Sequence, residues 1–307
     1  MLVEEEQARL EQTGKELLVT RPPLADSFSP DGGPLLAALR WSPSGPPRAS
    51  VVIMHGLGEH AARYDSTARL FTEAGFSVLA FDYEGFGRSE GRRGDVRYQP
   101  TARAVDHLIA GELARTGGAP VVLYGHSLGG LYAFLYAADR PGTDLAAVVT
   151  TGPAFDSELR NQRFKVAVVR SLGRAFPTLA LPNGLRFERV NRDPAVVAER
   201  YADPLVHGRA TARFAIDVLA QMERVGSAAP RITMPLLVIH GDADLVNPIS
   251  ASRRVVDLVP SATLRTCPGL YHGVEDEPEG PVLLAEVIAW IDRTLGAEKA
   301  DPGGVPR

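Results

Sequence analysis

Cysteine is almost missing from this chain. Cys267 is the only one in 307 residues, which excludes an intramolecular disulfide framework and fits a reducing compartment. Long apolar runs are missing too: none approaches the roughly 18 residues that span a bilayer. The opening residues, Met1 to Leu10, are acidic and lack the basic and apolar regions of a signal peptide, so a cytoplasmic protein is expected. Positive charge is not in surplus. A net charge of −4 argues against a general nucleic-acid binder. The seven histidines are scattered and have one cysteine for company, so no metal set is expected, and no cofactor motif stands out. No internal repeat is visible. What remains is ordinary globular composition, 45% hydrophobic and 23% charged, in a chain long enough to bury a full core.

Short apolar runs alternate with helical patterns over much of this length. Leu35–Trp41 reads as one arm of a hairpin, with Asp31-Gly32-Gly33 as its turn signal. Ala49–Met54, Phe76–Phe81, Val121–Tyr124, Leu145–Thr150, Leu236–His240 and Thr263–Cys267 read as further strands. Ser66–Ala74, Thr101–Arg115, Thr211–Val225, Ser250–Val259 and Pro281–Leu295 read as helices. That alternation implies an α/β fold with a mostly parallel central sheet flanked by helices. The rhythm breaks between Gly152 and Val206, where no clean strand is expected, and this segment reads as an inserted cap. The expected organisation is an N-terminal extension at 1–24, a core at 25–151 and 207–296, the cap at 152–206, and a disordered tail at 297–307. Pro153–Asp193 carries eight Arg or Lys against four Asp or Glu. Two readings fit that excess: a solvated face, or a surface that meets lipid interfaces transiently.

The chemistry centres on Gly125-His126-Ser127-Leu128-Gly129, a Gly-x-Ser-x-Gly turn between a strand and an apolar helix. Such a turn strains the serine backbone and holds its hydroxyl out beside the first helix N–H groups, which can stabilise an oxyanion. A serine hydroxyl needs a base, and the base needs a carboxylate to fix its tautomer. In this fold the chain order is Ser, acid, His. His272, in a glycine-flanked loop after the last strand, is the expected base. His207 falls at the cap's boundary with the core, and His240 reads as a structural residue beneath the acid loop. Asp242 and Asp244 compete for the acid, and Asp244, further out along its loop, is favoured. The oxyanion donors are expected to be the N–H groups of Leu128, after the nucleophile, and Leu57, in the loop after the early strand. The glycine-rich loop Gly85–Gly91 lacks the Gly-Lys-Ser/Thr that would make it a phosphate cradle.

His55-Gly56-Leu57-Gly58-Glu59-His60 with Arg63-Tyr64, Asp82-x-x-Gly85-x-Gly87-x-Ser89-x-Gly91, Gly125–Gly130, Asp203-Pro204-Leu205, and Gly241-x-x-Asp244 with Tyr271-His272 together resemble the monoacylglycerol lipase group of α/β-hydrolases. The resemblance runs from about Ser27 to Leu295. It implies the α/β-hydrolase fold, hydrolysis of monoacylglycerols through an acyl-enzyme, and a lipid ester as partner with no cofactor. It also places Glu59 and Arg63 near the glycerol end of the pocket. His126 is counted with them as substrate-binding, and Tyr201 lies near the pocket only if the cap register holds. The rival readings are a lysophospholipase, a general carboxylesterase, or a non-catalytic binding module on the same fold. Oligomeric state is not legible.

Overall fold

A computed structural model of the chain describes residues 23–157, 167, 170–171 and 173–300. The chain opens with the antiparallel pair β1 (Leu24–Phe28) and β2 (Leu36–Trp41) and enters the parallel region at β3 (Ala49–Met54). There follow α1 (Asp65–Glu73), β4 (Phe76–Phe81), α2 (Tyr98–Thr116), β5 (Val121–His126), α3 (Leu128–Asp139) and β6 (Leu145–Thr151). An excursion then carries β7 (Ala180–Pro182), α4 (Pro194–Ala202) and β8 (Arg209–Thr211). The core resumes with α5 (Ala212–Ala228), β9 (Leu236–Gly241), α6 (Ile249–Leu258), β10 (Ala262–Cys267) and α7 (Gly280–Ala300).

Among the described residues the main sheet has eight strands in the order β1-β2-β4-β3-β5-β6-β9-β10. From β4 to β10 all neighbours are parallel, and β2 joins β4 antiparallel. Strands covered on both faces are near-continuous apolar runs rather than alternating ones. That is why VVIM, VVLY and LLVI lie in the middle, while the edge strand β10 mixes Arg265 with Leu264. Alternate residues of β5 serve the two faces. Val121 and Leu123 pack with α2, α3 and α5, whereas Val122 and Tyr124 pack with α1 and α7.

This order locates the site. From β3 the chain steps outward to β4, then crosses back to β5 on the other side of β3. The carboxyl ends of β3 and β5 are therefore neighbours at the point where winding reverses, and such a point leaves a crevice between the departing loops. Leu57 lies in the loop leaving β3, and Ser127 follows β5.

Two expectations need correction. A strand, β7, does occur within 152–206: it pairs antiparallel with β8, Leu181 opposite Ala210. A three-residue strand containing Pro182, with its partner far along the chain, leaves no local pattern to read. The helix expected to end at Leu295 runs to Ala300, so the tail expected from 297 begins inside α7. The remainder of that tail, the first 22 residues, and the basic residues Arg160, Arg163 and Lys165 of the cap lie outside the described residues.

Candidate active site

The elbow is built by close backbone contact. A Cβ at Gly129 would collide with the Met54 carbonyl oxygen of β3, and one at Gly125 with the Gly129 carbonyl. Only glycine lets β5 turn into α3 at this proximity. Between them Ser127 sits at φ 52°, ψ −111°, one of two non-glycine residues at positive φ among those described. Its strained backbone is pinned by Ser127 N–H donating to the Thr151 carbonyl at 2.9 Å, and its own carbonyl accepts from Ala154 N–H at 3.0 Å. Such strain at a single polar residue, held by its surroundings, is a mark of functional sites.

The structure brings Ser127, His272 and Asp244 together. Ser127 Oγ lies 2.9 Å from His272 Nε2, and His272 Nδ1 lies 2.8 Å from Asp244 Oδ2. His272 is 2% exposed and the Asp244 side chain is wholly buried. Asp244 Oδ1 accepts from the N–H groups of Val246 at 2.7 Å and Asn247 at 2.9 Å. Burial by itself would raise the Asp244 carboxyl. The facing His272 and the hydrogen bonds from His240 and His272 outweigh it and hold the group well below the usual carboxylate range. Asp242 instead accepts from Gly269 N–H at 2.6 Å at the exposed rim of the turn. With Nδ1–H donated to an ionised carboxylate, Nε2 of His272 is free to accept the serine proton.

Leu57, Ser127 and Leu128 lie at one cavity of about 650 Å³. Phe214, Val218 and Met222 of α5 and Leu181 of β7 give it apolar lining, and Asn183, Arg186 and Arg189 add polar groups. Residues 214, 218 and 222 recur at i, i+4 and i+8, so α5 presents one apolar stripe to this space. Leu128 is the first residue of α3, where helix N–H groups have no partner within the helix.

Glu59, Arg63 and His126 are placed elsewhere. They border a separate cavity of about 10 Å³, room for a single water, which Arg200 and Glu275 also line. The Glu59 carboxylate is engaged by the Arg200 guanidinium, by the Tyr64 hydroxyl at 3.0 Å and by Gly56 N–H at 3.2 Å. Burial opposes its ionisation, but the Arg200 charge beside it holds it well below the ordinary range. Glu59 thus anchors the Leu57 loop to α4. Arg63 lies beside Asp203 and Asp276. His126 meets Thr151 Oγ1 at 3.0 Å and stacks obliquely on His272, ring centres 4.9 Å apart. Tyr201 is exposed and donates to Glu188.

Sequence reasoning missed three residues here. Arg200, 3% exposed, joins Glu59 to Asp276. Glu275 accepts from Tyr124 and Thr151 behind the elbow strand. Asn247 donates from Nδ2 to the Gly152 carbonyl at 2.8 Å, tying the acid loop to the end of β6. Asn247 follows the acid loop's Gly-Asp-Ala-Asp turn and could have been suspected. Arg200 and Glu275 carry no local signal, because their partners are distant in sequence.

Comparison with known proteins agrees with this geometry. The family model described as serine aminopeptidase, S33, matches residues 45–279. A monoacylglycerol lipase of Mycolicibacterium smegmatis is 38% identical over 272 residues, 86% of this chain and 95% of its own. A human monoglyceride lipase is 31% identical over 277 residues, 88% of this chain and 91% of its own. The crystal structure of Paleococcus ferrophilus monoacylglycerol lipase superposes with a TM-score of 0.78 at 35% identity, covering 84% of this chain and 99% of that one. The shared architecture is the α/β-hydrolase fold.

Proposed function

The chain belongs to the serine aminopeptidase, S33, family and is an ester hydrolase, and from that premise we propose that it cleaves the ester bond of monoacylglycerols, releasing fatty acid and glycerol through an acyl-enzyme. The observation that carries this reading is a Ser127–His272–Asp244 set, at 2.9 and 2.8 Å, opening onto a cavity of about 650 Å³ with an apolar stripe from α5. The similarity to monoacylglycerol lipases supports the choice of ester.

In the proposed cycle His272 Nε2 takes the proton of Ser127 as Oγ attacks the ester carbonyl. The C–O double bond opens to an oxyanion, which the N–H groups of Leu57 and Leu128 are assigned to hold. Collapse breaks the bond to glycerol, and His272 returns the proton to the departing oxygen. Water, deprotonated by the same Nε2, then attacks the acyl-Ser127 carbonyl; the bond from carbonyl carbon to Oγ breaks, His272 returns the proton to Oγ, and the fatty acid leaves. Asp244 stays ionised and keeps Nδ1–H of His272 oriented throughout. The acyl chain is assigned to the stripe of Phe214, Val218 and Met222. Residues 152–206 act as the cap over it.

A panel of 1- and 2-monoacylglycerols, lysophospholipids and short p-nitrophenyl esters tests the substrate. The highest kcat/KM is expected with a monoacylglycerol, and preference for a lysophospholipid would overturn it. That second reading has one observation in its favour, since Arg186 and Arg189 border the cavity and suit a phosphate.

The reading places a cytoplasmic enzyme at lipid surfaces through its cap. Phe176, Leu179 and Leu181 are exposed in a segment that also carries Arg174, Arg186 and Arg189. No helix among the described residues is long and apolar enough to cross a membrane. Co-sedimentation with vesicles rich in anionic lipid is expected, weakening as salt rises. Absence of binding at low salt would remove the idea.

A further inference from the structure

His240 ends a wholly buried strand and has no exposed surface. Its ring fills the inside of the turn that carries the acid. Nε2 lies 3.0 Å from Asp244 Oδ2 and 3.1 Å from the Asn247 carbonyl oxygen, and Nδ1 lies 2.8 Å from Ser252 Oγ of α6. Both neighbours of Nε2 are acceptors, so Nε2 carries the proton and shares it between the Asn247 carbonyl and Asp244 Oδ2. Nδ1 then accepts from the Ser252 hydroxyl, and the neutral ring is satisfied on both sides.

This makes Asp244 a carboxylate with four donors. Val246 N–H and Asn247 N–H meet Oδ1, while His272 Nδ1 and His240 Nε2 meet Oδ2. A carboxylate offers about four lone-pair sites, so none is left over. Two imidazoles therefore share one oxygen, and only His272 also reaches Ser127. Without the His240 donor, Oδ2 would be held by His272 alone, and the carboxylate could pivot about its Oδ1 anchors and follow that ring.

We infer that His240 is a positioning residue for the reaction, holding Asp244 Oδ2 at the point from which it orients His272. The inference rests on the Ser127–His272–Asp244 reading and deepens it. It assigns His240 a role in catalysis beyond filling the loop.

Two polar substitutions separate the ring's two sides. His240→Gln places an amide donor where Nε2 was and gives up the Ser252 partner. His240→Asn places its amide where Nδ1 was and gives up the Asp244 partner. Steady-state kinetics on a p-nitrophenyl ester and thermal melts of both variants are the readouts. The Gln variant is expected to keep kcat within about threefold of the parent although its melting temperature falls. The Asn variant is expected to lose roughly 10- to 100-fold in kcat with KM little changed, the range for a lost hydrogen bond to a charged group. In an Asp244→Asn background the difference between the two should vanish. Equal losses in both variants, or losses that track melting temperature alone, would overturn the inference while leaving the triad in place. If Ser127→Ala retains turnover, the triad reading itself has failed, an outcome separate from these.

Discussion

Ser127→Ala is expected to lower kcat for ester hydrolysis by on the order of 10⁶-fold, leaving what the oxyanion donors and the pocket supply on their own. The size follows from the route, since without Oγ there is no acyl-enzyme and water must attack directly in a site shaped for another nucleophile. The fold should survive. Ser127 contributes its strained backbone through N–H to Thr151 and its carbonyl to Ala154 and Leu131, and alanine keeps all three bonds. Only the bond between Oγ and His272 is lost. Titration of released fatty acid, with a melt to confirm folding, checks this. A folded variant with turnover near that of the parent would show that Ser127 is not the nucleophile.

The next largest effect is expected from Asp244→Asn, a fall in kcat on the order of 10⁴-fold. The four donors around this side chain decide the mechanism. The Oδ1 side faces the backbone N–H groups of Val246 and Asn247, which cannot change roles. The Oδ2 side faces His272 and His240, and imidazoles can change tautomer. The new NH₂ group therefore settles on the Oδ2 side and donates to His272 Nδ1. His272 must then carry its proton on Nε2, aimed at Ser127, and cannot accept the serine proton. Asp242→Asn supplies the contrast. Asp242 sits at the exposed rim and accepts from Gly269 N–H, so a change of only a few-fold in kcat/KM is expected, with a modest loss of stability for one turn hydrogen bond. If the two substitutions gave equal losses, the choice between the aspartates would be wrong.

The elbow is legible in the sequence because its constraints are local. Gly125 and Gly129 stand two residues to either side of Ser127, and the apolar strand before them and helix after them are contiguous. The buried strands are equally plain, since a doubly covered parallel strand is an unbroken apolar run. The acid and base could be ordered along the chain because each follows a strand at the same end of the sheet. The register that sets their distances comes from the pairing of β9 with β10 and cannot be read in advance. His240 looks like a core histidine when read alone, and it is one. What relates it to the reaction is its distance from Asp244, set by the turn between them. Glu59 shows the converse. The resemblance puts it at the substrate, and its ion pair with Arg200, 141 residues on, has no signal in the sequence. The excursion between β6 and α5 is least legible for the same reason: β7 pairs with β8, α4 attaches through Arg200 to Glu59 and Asp276, and Val190 accepts from Gly273 N–H beside His272. Each of these is a long-range contact with no periodic pattern beneath it.

The central claim is that Ser127 is the nucleophile, activated through His272. Reaction with a fluorophosphonate, followed by peptide mass spectrometry and parallel assay of monoacylglycerol hydrolysis, addresses it most directly. One phosphonyl group per chain is expected on Ser127, with activity falling in proportion to labelling and no labelling in Ser127→Ala. Modification of another residue in step with inactivation, or full turnover by a chain whose Ser127 is completely labelled, would contradict the account.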